Sequence, residues 1–289
     1  MTVCTLCPRR CGVDRSEKRG FCGMGLQPKV ARAALHFWEE PCISGTRGSG
    51  AVFFSGCTLG CVYCQNYDIS HEGRGKEISV RRLADIFKSL EDQGAHNINL
   101  VTGTPFVPAI LEALELYRPG IPIVWNTGGY ETVETLKMLE GAVDIYLPDC
   151  KHVSPRLSRL CAGAADYFGV ASRAILEMCR QTGPNVYDEN GMMQKGVIVR
   201  HLILPGCTGD SCRVLDFIAE KLPAGTPVSL MRQYTPESWC TVPGLDRRIT
   251  DKEYQRVLDH LNALGLTGYF QEKEAADGAY TPPFDLTGV

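Results

Sequence analysis

Residues 51–66 read Ala51-Val52-Phe53-Phe54-Ser55-Gly56-Cys57-Thr58-Leu59-Gly60-Cys61-Val62-Tyr63-Cys64-Gln65-Asn66. The first five form a short apolar strand. The stretch that follows carries three cysteines within eight positions, set among glycines. Free cysteine is often a small buried hydrophobe, a reading that suits Cys161 and Cys179 but not a knot of three. A metal or iron–sulfur site needs several thiolates converging from one short loop. Gly56 and Gly60 give the backbone the freedom to turn that way. Three cysteines can ligate three irons of a four-iron cluster, which leaves the fourth open to a small molecule. An open position separates a catalytic metal from a structural one, as zinc sites show.

Working outward, a strand–helix rhythm starts at this strand. Val80–Gly94 places Leu83, Ile86, Phe87 and Leu90 at helical spacing behind Ser79 as N-cap. Asn97–Val101 reads as a strand and Pro105–Tyr117 as a helix with proline near its start. Ile121–Trp125 and Val143–Leu147 read as strands, with a helix over Glu131–Leu139 between them. A helical stretch broken near Tyr167–Gly169 runs to about Arg180. Asn185–Met193 reads as a hairpin turning at Glu189-Asn190-Gly191. Strands are expected at Val197–Leu204 and Val228–Gln233, with a helix over Asp210–Lys221 between them. A last helix over Asp251–Leu264 is capped by Thr250 and ended by Gly265. Thr267–Gln271 reads as a closing strand and the last dozen residues as a tail.

Six such units predict an α/β fold with a parallel sheet and helices outside it. Right-handed crossovers leave an open doubly wound sheet or a barrel. Both place chemistry at the C-terminal ends of strands. Residues 1–50 have little periodicity and are rich in Gly, Arg and Cys. They are expected to be an irregular metal-binding segment, followed by one domain over 51–289.

The chain has 289 residues and 14 cysteines. At roughly 150 residues per domain it is long enough to bury a core without covalent staples. Hydrophobic residues make up 44% and charged residues 22%, a soluble globular composition. A net charge of −3 argues against a basic nucleic-acid surface. The first residues show no apolar signal region, and no apolar run approaches the length of a membrane span. A reducing cytoplasm is the expected compartment, where clustered cysteines bind metal or do redox work.

The Cys-x3-Cys-x2-Cys spacing of Cys57, Cys61 and Cys64, directly after the first strand and with aromatic Tyr63 before the third cysteine, resembles the radical S-adenosylmethionine (SAM) superfamily. Within it the chain resembles the pyruvate formate-lyase activating enzyme group, in a branch that begins with a cysteine-rich segment. Further cues are Cys-x2-Cys-Pro-Arg-x-Cys at the start, Glu40-Pro41-Cys42-Ile43-Ser44-Gly45 and Cys64-Gln65-Asn66. The resemblance implies a partial (βα)6 TIM-like barrel, a [4Fe-4S] cluster on Cys57, Cys61 and Cys64, and SAM chelated by the open iron. One electron, from a donor such as flavodoxin or ferredoxin, would split SAM into methionine and a 5′-deoxyadenosyl radical that takes hydrogen from a substrate. The cofactor carries the hard chemistry; the protein positions it and excludes water. A zinc loop completed by Cys42 or a histidine would not explain the six units that follow.

The resemblance also marks SAM contacts. Tyr63 belongs to the motif. Thr102-Gly103-Thr104-Pro105 ends the second strand where the superfamily commonly has Gly-Gly-Glu-Pro, so Thr104 stands in place of a glutamate, and backbone carbonyls or Thr hydroxyls are left to accept the SAM amino group. Asn126, before Gly128 and Gly129, is placed for the ribose or methionine part. Asp149 and Lys151 match the Asp-x-Lys of the activase group, suiting a cation and a carboxylate respectively; a surface ion pair is the plainer reading. Arg200 and His201 lie in the fifth strand on opposite faces. The resemblance turns Arg200 toward SAM, and His201 is read as packing. Gln233 is counted with the cofactor set, and with Tyr234 it ends the sixth strand on the substrate side.

Cys4-x2-Cys7-x3-Cys11-x10-Cys22 offers four thiolates in a segment with little else to fold around, and metal binding supplies folding energy. Either a structural zinc or a second iron–sulfur cluster fits, with Cys42 as a spare ligand. Auxiliary clusters of typical activases follow the radical SAM loop; the 15 residues between Cys64 and Val80 are too few for one. Three functions compete: an activase that places a glycyl radical on a partner enzyme or peptide, a radical SAM enzyme acting on another peptide, a small metabolite or a nucleic acid, and a non-enzymatic metal-binding protein. The lack of a basic excess weakens the nucleic-acid version.

Overall fold

The computed structural model describes residues 3–271 and 281–289. In chain order it begins with β1 (Lys29–His36), α1 (Pro41–Ser44), β2 (Ser49–Phe54), α2 (Tyr67–Ser70), β3 (Lys76–Glu77) and α3 (Val80–Asp92). Next come β4 (Ile98–Val101), α4 (Val107–Leu116), β5 (Ile123–Thr127), α5 (Val133–Met138), β6 (Ile145–Pro148), α6 (Pro155–Ala162) and α7 (Tyr167–Thr182). The rest is β7 (Val186–Tyr187), β8 (Met193–Val197), β9 (Val199–Leu202), α8 (Thr208–Lys221), β10 (Val228–Met231), α9 (Asp251–Ala263) and β11 (Gly268–Phe270). Among the described residues no helix is long and apolar enough to cross a membrane.

Strands β2, β4, β5, β6 and β8 pair in parallel in that order. Ile198 interrupts β8 and β9, and β9 pairs in parallel with β10 and β10 with β11. A bridge between Asp149 and Arg200 ties the two sheets together. The result is the partial TIM-like α/β barrel expected from the sequence. Strand alternation sets its two faces. Val52, Phe54, Ile98, Leu100, Ile123, Trp125, Tyr146, Val199 and Leu230 point out and pack under the helices. The interior holds smaller clusters: Val124, Ile145, Leu147 and Ile198 pack on Cys42 and Ile43 of α1, which plugs the bottom of the barrel.

Local chemistry explains the helix ends. Ser79 accepts from the Arg82 amide to start α3, and Thr250 with Glu253 builds a capping box on α9. The expected helix break lies earlier than Tyr167–Gly169. Gly163, left-handed at φ 58°, ends α6, and Gly169 sits inside α7.

Two expectations need correcting. The irregular segment stops short of residue 50: β1 pairs antiparallel with β2 along its length, so Lys29–His36 belongs to the sheet. The C-terminal stretch is not a free tail. The Ala33 amide donates to Thr287 and the Leu286 amide to Ala31, so residues 281–289 lie along the exposed side of β1. Phe284 packs edge-on against Phe53. The rest of the expected tail, residues 278–280, lies outside the described residues.

Candidate active site

At the C-terminal end of the strands the barrel opens into a cavity of about 790 Å³. Its wall includes Cys57, Cys61, Tyr63, Cys64, Thr102, Asn126, Asp149, Lys151, Arg200 and Gln233. The topology thus brings ten sequence-selected residues together from five strand ends and the motif loop. Gly103 and Thr104 do not line it. The Thr104 hydroxyl turns into the core and donates to Glu131 at 2.7 Å, where Thr127 and Trp125 also donate. A SAM contact from the Thr104 side chain is therefore replaced by a core role. Gly103 lies against Trp125, whose ring atoms would stand 2.8 Å from an added Cβ.

The cysteine loop leaves β2 at Ser55. Gly56 has φ +81° and packs so closely that a Cβ would meet Met24 at 2.3 Å and the Cys22 carbonyl at 2.7 Å. The Leu59 amide donates to the Cys57 sulfur at 3.4 Å and the Ser70 hydroxyl to the Cys64 sulfur at 3.3 Å. Donors aimed at sulfur suit thiolates, and such bonds tune a ligated cluster. Burial pushes the Cys61 and Cys64 thiols up, and the neighbouring Cys57 adds to it. Thiolates so buried need a metal to stabilise them. Among the described residues no group of three or more His, Cys, Asp or Glu is arranged to hold a single metal ion. A four-iron cube spreads its thiolates over separate irons, so the donor set and its surroundings fit that group.

Behind the loop, the Tyr63 hydroxyl meets His152 Nε2 at 2.9 Å. Burial, with Lys151 nearby, lowers His152 to about 3, so the ring is neutral. With Nε2 accepting from Tyr63, Nδ1 carries the proton toward Asp210, 3.8 Å away. The Tyr167 hydroxyl joins the β5 and β6 ends, accepting from the Lys151 amide and donating to the Gly128 or Asp149 carbonyl. Gly129 is required there, because a Cβ would stand 2.3 Å from the Asp149 carbonyl and its φ is +77°.

Asp149 and Lys151 form an ion pair in the cavity wall rather than on open surface, with 23% and 17% of their side chains exposed. Burial alone would lower Lys151, but Asp149 and then Cys61 outweigh it and hold the ammonium charged. Arg200 faces inward and is already engaged. It donates to both Glu40 oxygens at 2.8 and 2.7 Å, to Glu39, and to Asn126 at 3.2 Å. Burial would raise Glu40; Arg200 overrides that and keeps it ionised. Asn99 and Asn126 both donate to Glu39. His201 turns to the other face and meets the Cys150 carbonyl at 2.7 Å. Gln233 accepts from Gln271 of the β11 end.

The acidic pair is the part that sequence reasoning missed. Glu39 and Glu40 precede α1, and the chain brings them onto an arginine 160 positions later. The available signal was two adjacent acids before Pro41 with no helix to solvate them. Counting the cavity wall, Glu39, Glu40, Asp149 and Glu237 face Lys151 and Arg200, an acidic balance that favours a cationic ligand.

The N-terminal thiols also gather. Burial pushes Cys7 up to about 11, and the charges of Cys11, Cys22 and Cys4 act on it in the same direction. The Phe21 amide donates to the Cys11 sulfur at 3.2 Å. In residues 3–28 the buried side chains are Cys7, Arg15, Met24 and Pro28, too little apolar surface to order the segment unaided. Cys42 is not a spare ligand for this group. It sits in the barrel floor with Ile43 and shares a hydrogen bond with Tyr269.

A three-cysteine loop facing a cavity at the mouth of a partial barrel defines an iron–sulfur enzyme of the barrel class. The chain belongs to the radical SAM superfamily, whose sequence pattern matches residues 51–209. An uncharacterized protein of Methanocaldococcus jannaschii is 33% identical over 268 residues, which cover 89% of this chain and 73% of that protein. A radical SAM methyltransferase from Sphaerobacter thermophilus has a similar structure, with a TM-score of 0.54 at 14% identity over 77% of this chain and 66% of that one. Streptococcus suis SuiB, solved with S-adenosylmethionine, gives 0.52 at 12% identity over 75% of this chain and 48% of its own. SuiB has also been solved with the precursor peptide SuiA. The chain thus spans about half to two thirds of these solved proteins, and at such identities the likeness is one of fold. The family uses a [4Fe-4S] cluster and SAM and needs an electron donor.

Proposed function

We propose that this chain is an activase-like radical SAM enzyme that takes a hydrogen atom from a glycyl position of a protein or peptide. The observation that carries the reading is the Cys57–Cys61–Cys64 loop opening onto a cavity walled by Asp149 and Lys151. When bound on those three thiolates, the cluster supplies the electron that splits SAM into methionine and a 5′-deoxyadenosyl radical.

The chain's own residues hold and orient SAM. Lys151 suits the SAM carboxylate, while Asp149 suits the amino or sulfonium cation. Asn126 and Glu39 offer an amide and a carboxylate to the ribose hydroxyls. Tyr63, fixed by neutral His152, flanks the adenine side. Arg200 acts through Glu39 and Glu40, setting their position rather than meeting SAM as a free cation. Thr102 offers a hydroxyl at the wall, and Gln233 with Tyr234 lines the substrate side. Cys4, Cys7, Cys11 and Cys22 hold a second metal centre; since they are not arranged around one ion, an iron–sulfur cluster is favoured over zinc. A cytoplasmic one-electron donor of the flavodoxin or ferredoxin type serves the active cluster.

Anaerobically reconstituted protein with SAM and a reductant should release 5′-deoxyadenosine, and Cys61→Ala should lose product and cluster together. A protein that never releases it overturns the enzymatic reading. Mixing with a candidate partner should then give the doublet resonance of a glycyl radical; 5′-deoxyadenosine without that signal would move the substrate to another class. Metal counting separates about eight irons from about four irons plus one zinc.

A further inference from the structure

Resting on that reading, we propose that the N-terminal cysteine segment is a clasp for the SAM pocket, with Arg9 and Arg15 as positioning residues that couple metal loading at Cys4, Cys7, Cys11 and Cys22 to SAM affinity. Arg9 lies between Cys7 and Cys11, in a turn closed by the Arg10 amide donating to the Cys7 carbonyl at 3.0 Å. All of its side-chain hydrogen bonds go to acceptors outside the segment. It donates to the carbonyls of Thr58 at 2.9 Å and Leu59 at 3.2 Å, and of Ala162 and Gly163, both at 2.8 Å. Thr58 and Leu59 are two of the three residues between Cys57 and Cys61, so these carbonyls define the path of the cluster loop. Ala162 and Gly163 end α6, where carbonyls lack helical partners and a cation is favoured. The guanidinium lies 3.9 Å above the Phe21 ring, which fixes its plane. A planar fork of donors can serve four carbonyls in this way; an ammonium cannot.

Arg15, between Cys11 and Cys22, reaches the turn that follows β4. It is buried, and it donates to Met24, to Gly25 and to the Pro105 carbonyl next to the Thr102–Thr104 turn. A third contact completes the clasp: the Cys22 carbonyl and Met24 press on Gly56 at the entry to the cluster loop. Each stretch between successive cysteines from Cys7 to Cys22 thus sends an arginine to a backbone segment that leads into the pocket: the cluster loop for Arg9 and the turn after β4 for Arg15. Since the segment buries little of its own, metal on its thiols holds these arginines in place. Loss of that metal frees the loop carbonyls while leaving Cys57, Cys61 and Cys64 in the chain.

The test uses the full-length reconstituted protein. SAM affinity is read from the change that SAM causes in the electron paramagnetic resonance spectrum of the reduced cluster. Arg9→Ala should keep its iron and its cluster signal but bind SAM on the order of ten- to a hundredfold more weakly, the scale of a misplaced site. Arg9→Lys should fall between it and the wild type. Arg10→Ala, an exposed neighbour, should match the wild type. Cys7→Ser should lose the N-terminal metal by analysis and weaken SAM as Arg9→Ala does. Amide exchange at Thr58–Gly60 should speed up in both weakened variants, with β4 and β5 unchanged. Wild-type SAM affinity in Arg9→Ala, or in Arg9→Lys if the alanine variant does not fold, overturns the clasp. A wild-type protein whose cluster ignores SAM overturns instead the reading on which it rests.

Discussion

Thr102 holds a backbone conformation that its side chain disfavours. Its φ is +60°, and a β-branched residue there is a true outlier. The position lies in the cavity wall, and its amide donates to the Asn126 carbonyl at 2.9 Å, which holds the turn against the strain. Strain of this kind costs roughly 1–3 kcal/mol and persists where the surroundings impose it. Thr102→Gly should therefore melt at or above the wild-type temperature. Thr102→Val keeps the strain and removes the hydroxyl, so it should weaken SAM binding by about two- to tenfold, one hydrogen bond's worth. Calorimetric melting and SAM titration check the pair. A less stable glycine variant would contradict the strain, and unchanged binding in the valine variant would remove Thr102 from the SAM contacts. Thr102 could be chosen from the sequence because it ends a strand, but its strain could not. Glu39 and Glu40 show the same limit more sharply, since what holds them in the cavity wall is Arg200, a residue that pattern and spacing cannot place beside them.

At the scale of elements, the strand–helix units were legible because each strand buries one face under helices and the other in the barrel. That gives short apolar runs followed by helical periodicity. β1 has no such signature. It is an antiparallel strand, Lys29-Val30-Ala31-Arg32-Ala33-Ala34-Leu35-His36, in which buried and half-buried residues alternate imperfectly. Its identity comes from its partners. One is β2; on the outer edge β3 pairs with Lys29 and Val30, and the C-terminal stretch covers the edge from Ala31 on. An uncovered edge strand is a template for association. Deleting residues 281–289 removes two backbone hydrogen bonds, the Arg32–Asp285 ion pair and the Phe284–Phe53 contact. The hydrogen bonds are worth about 0.5–1.5 kcal/mol each and the exposed pair little. The truncated chain should melt lower by about 2–4 °C per kcal/mol lost and self-associate on size-exclusion chromatography. An unchanged melting temperature with a monomeric elution would show that the stretch does not protect the edge.

The whole molecule carries a proton balance that follows from how the barrel buries its histidines. His36, His152 and His201 all have their values lowered chiefly by burial, His152 to about 3. In the unfolded chain each titrates near about 6.5. Below that pH the unfolded state takes up protons that the folded state refuses, so stability falls as pH drops. Glu40, lowered by Arg200, adds to the loss once pH falls through its unfolded value of about 4.3. Glu131 opposes them: burial raises its value, so it loses stability as pH rises above about 4.3. The histidines outnumber it, and the net effect from pH 7 to pH 5 is destabilising. Each unmatched proton is worth about 1.4 kcal/mol per pH unit well below the unfolded value. His152→Gln isolates one of them. An amide can still accept from the Tyr63 hydroxyl, while the titrating group is gone. Between pH 5.5 and pH 4 the variant should lose stability more slowly than the wild type by about one proton's slope. Urea midpoints of the metal-free chain at several pH values measure this without interference from cluster loss in acid. Parallel slopes for variant and wild type would mean that His152 takes up its proton in the folded state, and the neutral acceptor fixing Tyr63 would have to be abandoned.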